Sequence, residues 1–149
     1  MTATVKSSAV AGTVLAFDFG TKRIGVAVGE THTGLAHALV TIPATRDEES
    51  MRAIAALVEE WRPALLVVGL PVHADGMAHA MTERARRFAR ALEGRFGTRV
   101  ELCDERFTTQ AASGALREAG VRGRHRKSAR DRVAAQLILQ DYLDRRRAA

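Results

Sequence analysis

An α/β fold built on one mixed sheet, three antiparallel strands leading into parallel strands flanked by helices, is what this sequence predicts. Three observations carry it. Two short runs rich in Val, Ile, Leu and Phe, Leu15 to Phe19 and Arg23 to Val28, are joined by a tight turn and followed by a third extended run, the pattern of an antiparallel meander. Ala64-Leu65-Leu66-Val67-Val68-Gly69 is continuously apolar, as expected of a strand covered on both faces in a parallel sheet. Around that run lie stretches whose apolar residues recur with helical spacing.

The elements follow in order. Residues 1–12 read as a disordered tail, because one Lys and an apolar stretch that runs into Asp18 make a poor secretory signal. Gly20 is expected to supply a positive φ in the Gly-Thr-Lys turn between the first two strands. Gly34 to Ile42 is the third strand, ended by Pro43. Asp47 to Trp61 is an amphipathic helix: Met51, Ile54, Leu57, Val58 and Trp61 share a side, three acids stand at its start where the helix dipole favours them, and Pro63 stops it. The apolar fourth strand leads to a helix from Met77 to Phe96 that turns Glu83, Arg84, Arg87, Arg90 and Glu93 outward. Arg99 to Asp104 is a fifth short strand. Two last helices, Thr108 to Ala119 and Ser128 to Arg146, are separated by a basic link, Gly120 to Lys127, expected to be mobile. The order is β-β-β-α-β-α-β-α-α, and residues 13–146 read as a single domain.

With 149 residues the chain is long enough for one substantial core. A formal net charge of +6 favours a polyanionic partner, nucleic acid first. The single cysteine, Cys103, excludes an internal disulfide framework and a Cys-only zinc site, consistent with a reducing cytoplasm. Beside the acids it reads as a small buried hydrophobe, with no His partner to make it a nucleophile. No apolar run approaches the roughly 20 residues of a membrane helix.

Three acidic positions need an explanation. Asp18 lies inside an apolar strand between Phe17 and Phe19, where a carboxylate is costly unless hydrogen-bonded, paired or bound to a metal. Asp104 and Glu105 stand where the fifth strand meets the next helix; alternation puts them on opposite faces, and pattern alone does not say which faces the first strand. Asp131 fits a capping pattern with Ser128, yet at helical spacing it shares a side with Ala135, Ile138 and Tyr142, which turns its carboxylate toward the sheet. Acids that converge from distant parts of a chain suit hard divalent cations, and a pair of such cations can activate water and stabilise a leaving oxygen in phosphodiester cleavage.

Four motifs in order resemble the YqgF family, also called RuvX, of pre-16S rRNA nucleases or Holliday junction resolvases with the RNase H-like fold. They are Asp18-Phe19-Gly20-Thr21-Lys22-Arg23-Ile24-Gly25; Gly69-Leu70-Pro71 with Asp75-Gly76; Asp104 to Thr109; and Lys127 through Asp131 to Ala135. The resemblance spans Val14 to Tyr142. It implies Asp18, Glu105 and Asp131 as catalytic acids that bind Mg²⁺ or Mn²⁺ at a two-metal site, and chooses Glu105 over Asp104 by analogy. It departs at His73 and Met77, which touch the substrate loop and not the acids. It further implies a cytoplasmic nuclease acting at the 5′ end of pre-16S rRNA, with branched DNA as the alternative substrate.

Other residues take lesser parts. Lys22, Arg23, Arg106, Arg122, Arg124, Arg126 and Lys127 are candidates for holding substrate phosphates, set against the plain reading of solvated surface charge. Asp75 and Asp104 are candidate supports behind the acids, Asp75 being most simply a turn residue. Two further readings compete: a non-catalytic rRNA-binding assembly factor, and an actin-like kinase phosphate loop in Asp18 to Thr21, for which a single domain of this length supplies only half the fold.

Overall fold

The computed structural model describes residues 11–70, 77–104 and 124–148. It contains strands β1 (Thr13–Phe19), β2 (Arg23–Glu30) and β3 (Leu35–Pro43), helix α1 (Asp47–Trp61), strand β4 (Leu65–Leu70), helix α2 (Met77–Phe96), strand β5 (Val100–Asp104) and helix α3 (Arg124–Ala148). The strands form one sheet in the order β3-β2-β1-β4-β5. β1 pairs antiparallel with β2, and β2 with β3; β4 runs parallel to both β1 and β5. This is the predicted mixed sheet. Its strand ends differ from the sequence expectations by a residue or two, whereas α1 and α2 begin and end where periodicity places them.

Both faces of the sheet are covered, which explains the unbroken apolar run of β4. On one face Leu15, Phe17, Val26 and Leu66 pack with Ile54 of α1 and with Phe88 and Leu92 of α2. Phe88 stacks on Phe19, with ring centroids 4.7 Å apart. On the other face the small residues Ala16, Ala27 and Ala36, with Val14 and Val67, receive Ala135, Ile138, Leu139 and Leu143 of α3. Cys103 is buried among them, as expected of a small apolar side chain.

α3 also closes one edge of the sheet. Gln136 Nε2 donates to the Ala36 carbonyl at 3.0 Å, Gln140 Oε1 accepts from the Ala36 amide at 3.0 Å, and Gln140 Nε2 donates to the Gly34 carbonyl at 2.7 Å. Backbone groups of β3 that an edge strand would leave open are thereby satisfied. Ile138, only 1% exposed at the centre of this helix, tests the contact. Ile138→Ala is expected to lower stability by about 2–5 kcal/mol in urea denaturation, and an unchanged midpoint would mean that α3 does not depend on this face.

Three expectations change. Of residues 1–12, Ala11 and Gly12 are described, and Gly12 is tied in: its amide donates to Thr31 Oγ1 at 2.8 Å and its carbonyl accepts from the Thr31 amide at 3.1 Å. Gly20 is not among the glycines with positive φ. It is needed for space, since its amide donates to the Arg23 carbonyl at 2.9 Å and a Cβ would lie 2.7 Å from that oxygen. α3 starts at Arg124, so the second half of the basic link is helical and Ser128 is no cap. Arg and Lys are good helix formers, and once past Gly123 nothing in Arg124 to Lys127 breaks the helix. The helix expected over Thr108 to Ala119 lies outside the described residues.

Candidate functional site

The site begins with a row of three residues across the sheet. Asp18 of β1 is in register with Gly25 of β2, and Gly25 with Thr41 of β3. In β1, Asp18 alternates in step with Val14 and Ala16, which face α3, so it belongs to that face. The start of α3 crosses this row. Thr41 Oγ1 donates to the Ser128 carbonyl at 2.6 Å, and one turn on, the backbone of Asp131 presses on Gly25 so closely that a Cβ there would lie 1.9 Å from the Asp131 carbonyl oxygen. Directly opposed residues of antiparallel strands hold their Cβ positions about 4.5–5.5 Å apart, so the Asp131 backbone sits immediately beside Asp18.

The Asp131 side chain is 15% exposed, and its Oδ2 accepts from Arg23 Nε at 2.6 Å. Helical phase had turned this carboxylate toward the sheet, and it lies there. Arg23 is drawn in by the hairpin. The turn is closed by the Gly20 amide on the Arg23 carbonyl, and the Lys22 carbonyl accepts from the Ala44 amide at 2.9 Å. Lys22 projects from the turn exposed. Arg23, by contrast, is no free turn charge.

Of the two acids at the end of β5, Asp104 is described. Cys103 packs on the α3 face and Glu101 lies near Tyr142 of α3, so alternation places Asp104, exposed and in register with Leu70, on the α1 and α2 face. Asp104 therefore does not stand behind Asp18; the expectation of a supporting role fails on the pleat. Burial raises the Tyr142 phenol above its ordinary pKa and Glu101 adds to this, so the ring stays neutral beside Arg146, whose guanidinium carbon is 5.8 Å from the ring centroid.

The other candidates divide as follows. Arg124, Arg126 and Lys127 belong to the first turn of α3, immediately before Asp131. Glu105, Arg106, Arg122 and Asp75 lie outside the described residues. Among the described residues no three His, Cys, Asp or Glu side chains group to hold a metal. Oxygen donors alone suit Mg²⁺ or Mn²⁺ and not zinc. Sequence reasoning missed Gly25 and Thr41 as the residues that seat α3; a glycine in mid-strand was the signal for the first, and nothing marked the second.

Comparison with known proteins gives a family and a fold. Residues 12–145 match the model of the RuvX family, described as Holliday junction resolvase. A protein of Nitrosospira multiformis named "Putative pre-16S rRNA nuclease" is 60% identical over 138 residues, 93% of this chain and 91% of its own length. One of the same name from Nitrosomonas europaea is 53% identical over 143 residues, 96% of this chain and 97% of its own length. In fold, the chain is similar to T. thermophilus RuvC in complex with a Holliday junction substrate, at TM-score 0.55 and 16% identity over 91% of this chain and 96% of that one. The Fowlpox virus resolvase in complex with Holliday junction DNA is similar at TM-score 0.58 and 10% identity, over 89% and 97% of the two chains.

Proposed function

The chain belongs to the RuvX family, and from that membership we propose that it is a metal-dependent nuclease that trims the 5′ end of pre-16S rRNA in the cytoplasm. What supports the chemistry is that the Asp131 backbone sits on Gly25, the register partner of Asp18, so that two acidic residues 113 positions apart in the chain lie on the same face of the sheet. Glu105 supplies the third ligand in this reading. It is the next residue after Asp104, the last residue of β5, whose Cys103 packs against α3. A divalent cation held by such carboxylates lowers the pKa of water and offsets charge on the leaving oxygen.

The chain's own residues take the remaining tasks. Asp18 and Asp131 would hold the cation on rigid elements, a central strand and a helix seated without a gap on β2. Arg124, Arg126 and Lys127 in the first turn of α3, with exposed Lys22, offer cations to the substrate's phosphates, which positions the strand without reading its sequence. Asp75, Arg106 and Arg122 are proposed to border the same cleft. Residues 13–146 act as one catalytic domain.

Branched DNA is the second substrate reading, favoured by the family's description as a resolvase. The test uses a labelled pre-16S rRNA 5′ leader and a four-way DNA junction, each with Mn²⁺ or EDTA. Cleavage of the leader with Mn²⁺ and none with EDTA is the expected result. Cleavage of the junction alone would transfer the function to DNA, and binding of the leader without cleavage under any metal would leave an assembly factor.

A further inference from the structure

The hydrogen bond from Arg23 Nε to Asp131 Oδ2, 2.6 Å long, sits inside the proposed metal site. We propose that Arg23 and the divalent cation compete for Asp131, so that Arg23 is a built-in counter-ion that the metal must displace. The inference rests on the metal-site reading above.

Three observations support exchange over a permanent supporting role. The contact is made through Nε, a single prong and not the two-pronged fork that gives Arg–carboxylate pairs their strongest hold. The Arg23 side chain is 31% exposed and follows the exposed turn residues Thr21 and Lys22, so the guanidinium has a path to solvent. A dication bound by Asp18 and Asp131 would also lie within a few ångströms of a fixed guanidinium, and like charges that close repel strongly in a partly buried site. The Asp131 backbone, by contrast, is wedged against Gly25 and held by the helix, so the carboxylate stays while its partner changes. Asp18, on the same row of the sheet, is where the incoming cation finds its other ligand.

Arg23 thereby acts as a positioning residue with two consequences. It neutralises one of two neighbouring carboxylates while no metal is held, and it sets a threshold concentration of metal for the site. Once displaced, its guanidinium is placed beside the cation, where a substrate phosphate would meet both.

Calorimetric titration with Mn²⁺ tests this on the full chain, using wild type, Arg23→Ala, Arg23→Lys and Asp131→Asn. The expected result is that Arg23→Ala binds Mn²⁺ about tenfold tighter, the order of effect of one charge-assisted hydrogen bond, and that Arg23→Lys restores the wild-type affinity. Equal or weaker binding in Arg23→Ala overturns the proposal while leaving the metal site standing, since a residue that merely orients Asp131 would lose affinity when removed. Equal Mn²⁺ affinity in wild type and Asp131→Asn overturns the metal site itself, and the proposal with it. Should Arg23→Ala not fold, the Arg23 Nε–H resonance of the wild-type protein is followed during Mg²⁺ titration. It is expected to move with the calorimetric midpoint, and a resonance that Mg²⁺ leaves unmoved overturns the proposal.

Discussion

Asp18→Asn is expected to give a folded protein that cleaves more than about a hundredfold more slowly than wild type. The magnitude follows from metal sites in general, where loss of a group behind a ligand already costs about 10–100-fold, so loss of a ligand should cost more. The fold should survive because Asn keeps the size of the side chain, and β1 is anchored by Val14, Leu15, Ala16 and Phe17, none of them exposed. Stability in EDTA should hold or rise, since the substitution removes one of two neighbouring negative charges. Metal should then separate the two proteins. At a Mn²⁺ concentration a hundred times its dissociation constant, wild type gains about 2.7 kcal/mol, or roughly 5–11 °C in melting temperature for a chain of this size. Asp18→Asn should gain little. A variant that is unfolded, beside a wild type whose melting temperature Mn²⁺ leaves unshifted, would make Asp18 a structural residue and end the metal-site reading.

What the sequence discloses and what it withholds divide along physical lines. Apolar period reports which face of an element is buried, so β4 as a doubly covered strand and α2 from Met77 to Phe96 were legible, as was the inward turn of Asp131 from its phase with Ala135 and Ile138. Period says nothing about what a buried face meets. The partner of Asp131 is Arg23, 108 residues away, and no local pattern links the two. The choice between Asp104 and Glu105 stayed open because alternation fixes only relative faces; Cys103 against α3 gives the reference for Asp104, and Glu105 lies outside the described residues. The start of α3 was misplaced for another reason. Ser128 and Asp131 make a persuasive cap as a pattern, but the basic residues before Ser128 continue the helix, and the Ser128 hydroxyl accepts from Arg132 Nη1 at 3.1 Å. Gly20 misled in kind: the turn needs its lack of a side chain, not its freedom in φ.

Gly25 is the position where the smallest change should do the most harm to both fold and site. Alanine there would place its Cβ 1.9 Å from the Asp131 carbonyl oxygen and 3.0 Å from the Arg132 amide nitrogen, and both are backbone atoms of a helix. No side chain can turn aside to make room, so α3 or β2 has to move. α3 is held along its length by Ile138, Leu139 and Leu143 in the core and by Gln136 and Gln140 on β3, while β2 is paired on both sides. Overpacking of this kind costs about 1–3 kcal/mol, occasionally more, and for a chain of this size each kcal/mol lowers the melting temperature by roughly 2–4 °C. The displacement falls on Asp131, so Gly25→Ala is expected to lose Mn²⁺ binding and cleavage as well as stability. Gly94→Ala is the control. That glycine lies in α2 with nothing within 4 Å of an added Cβ, so alanine should leave cleavage unchanged and raise stability by about 0.5–1 kcal/mol. Thermal unfolding and Mn²⁺ titration of the two variants together decide the matter. A Gly25→Ala protein as stable and as active as wild type would show that α3 does not ride on β2 at this point, and that Asp131 reaches Asp18 by some other seating of the helix.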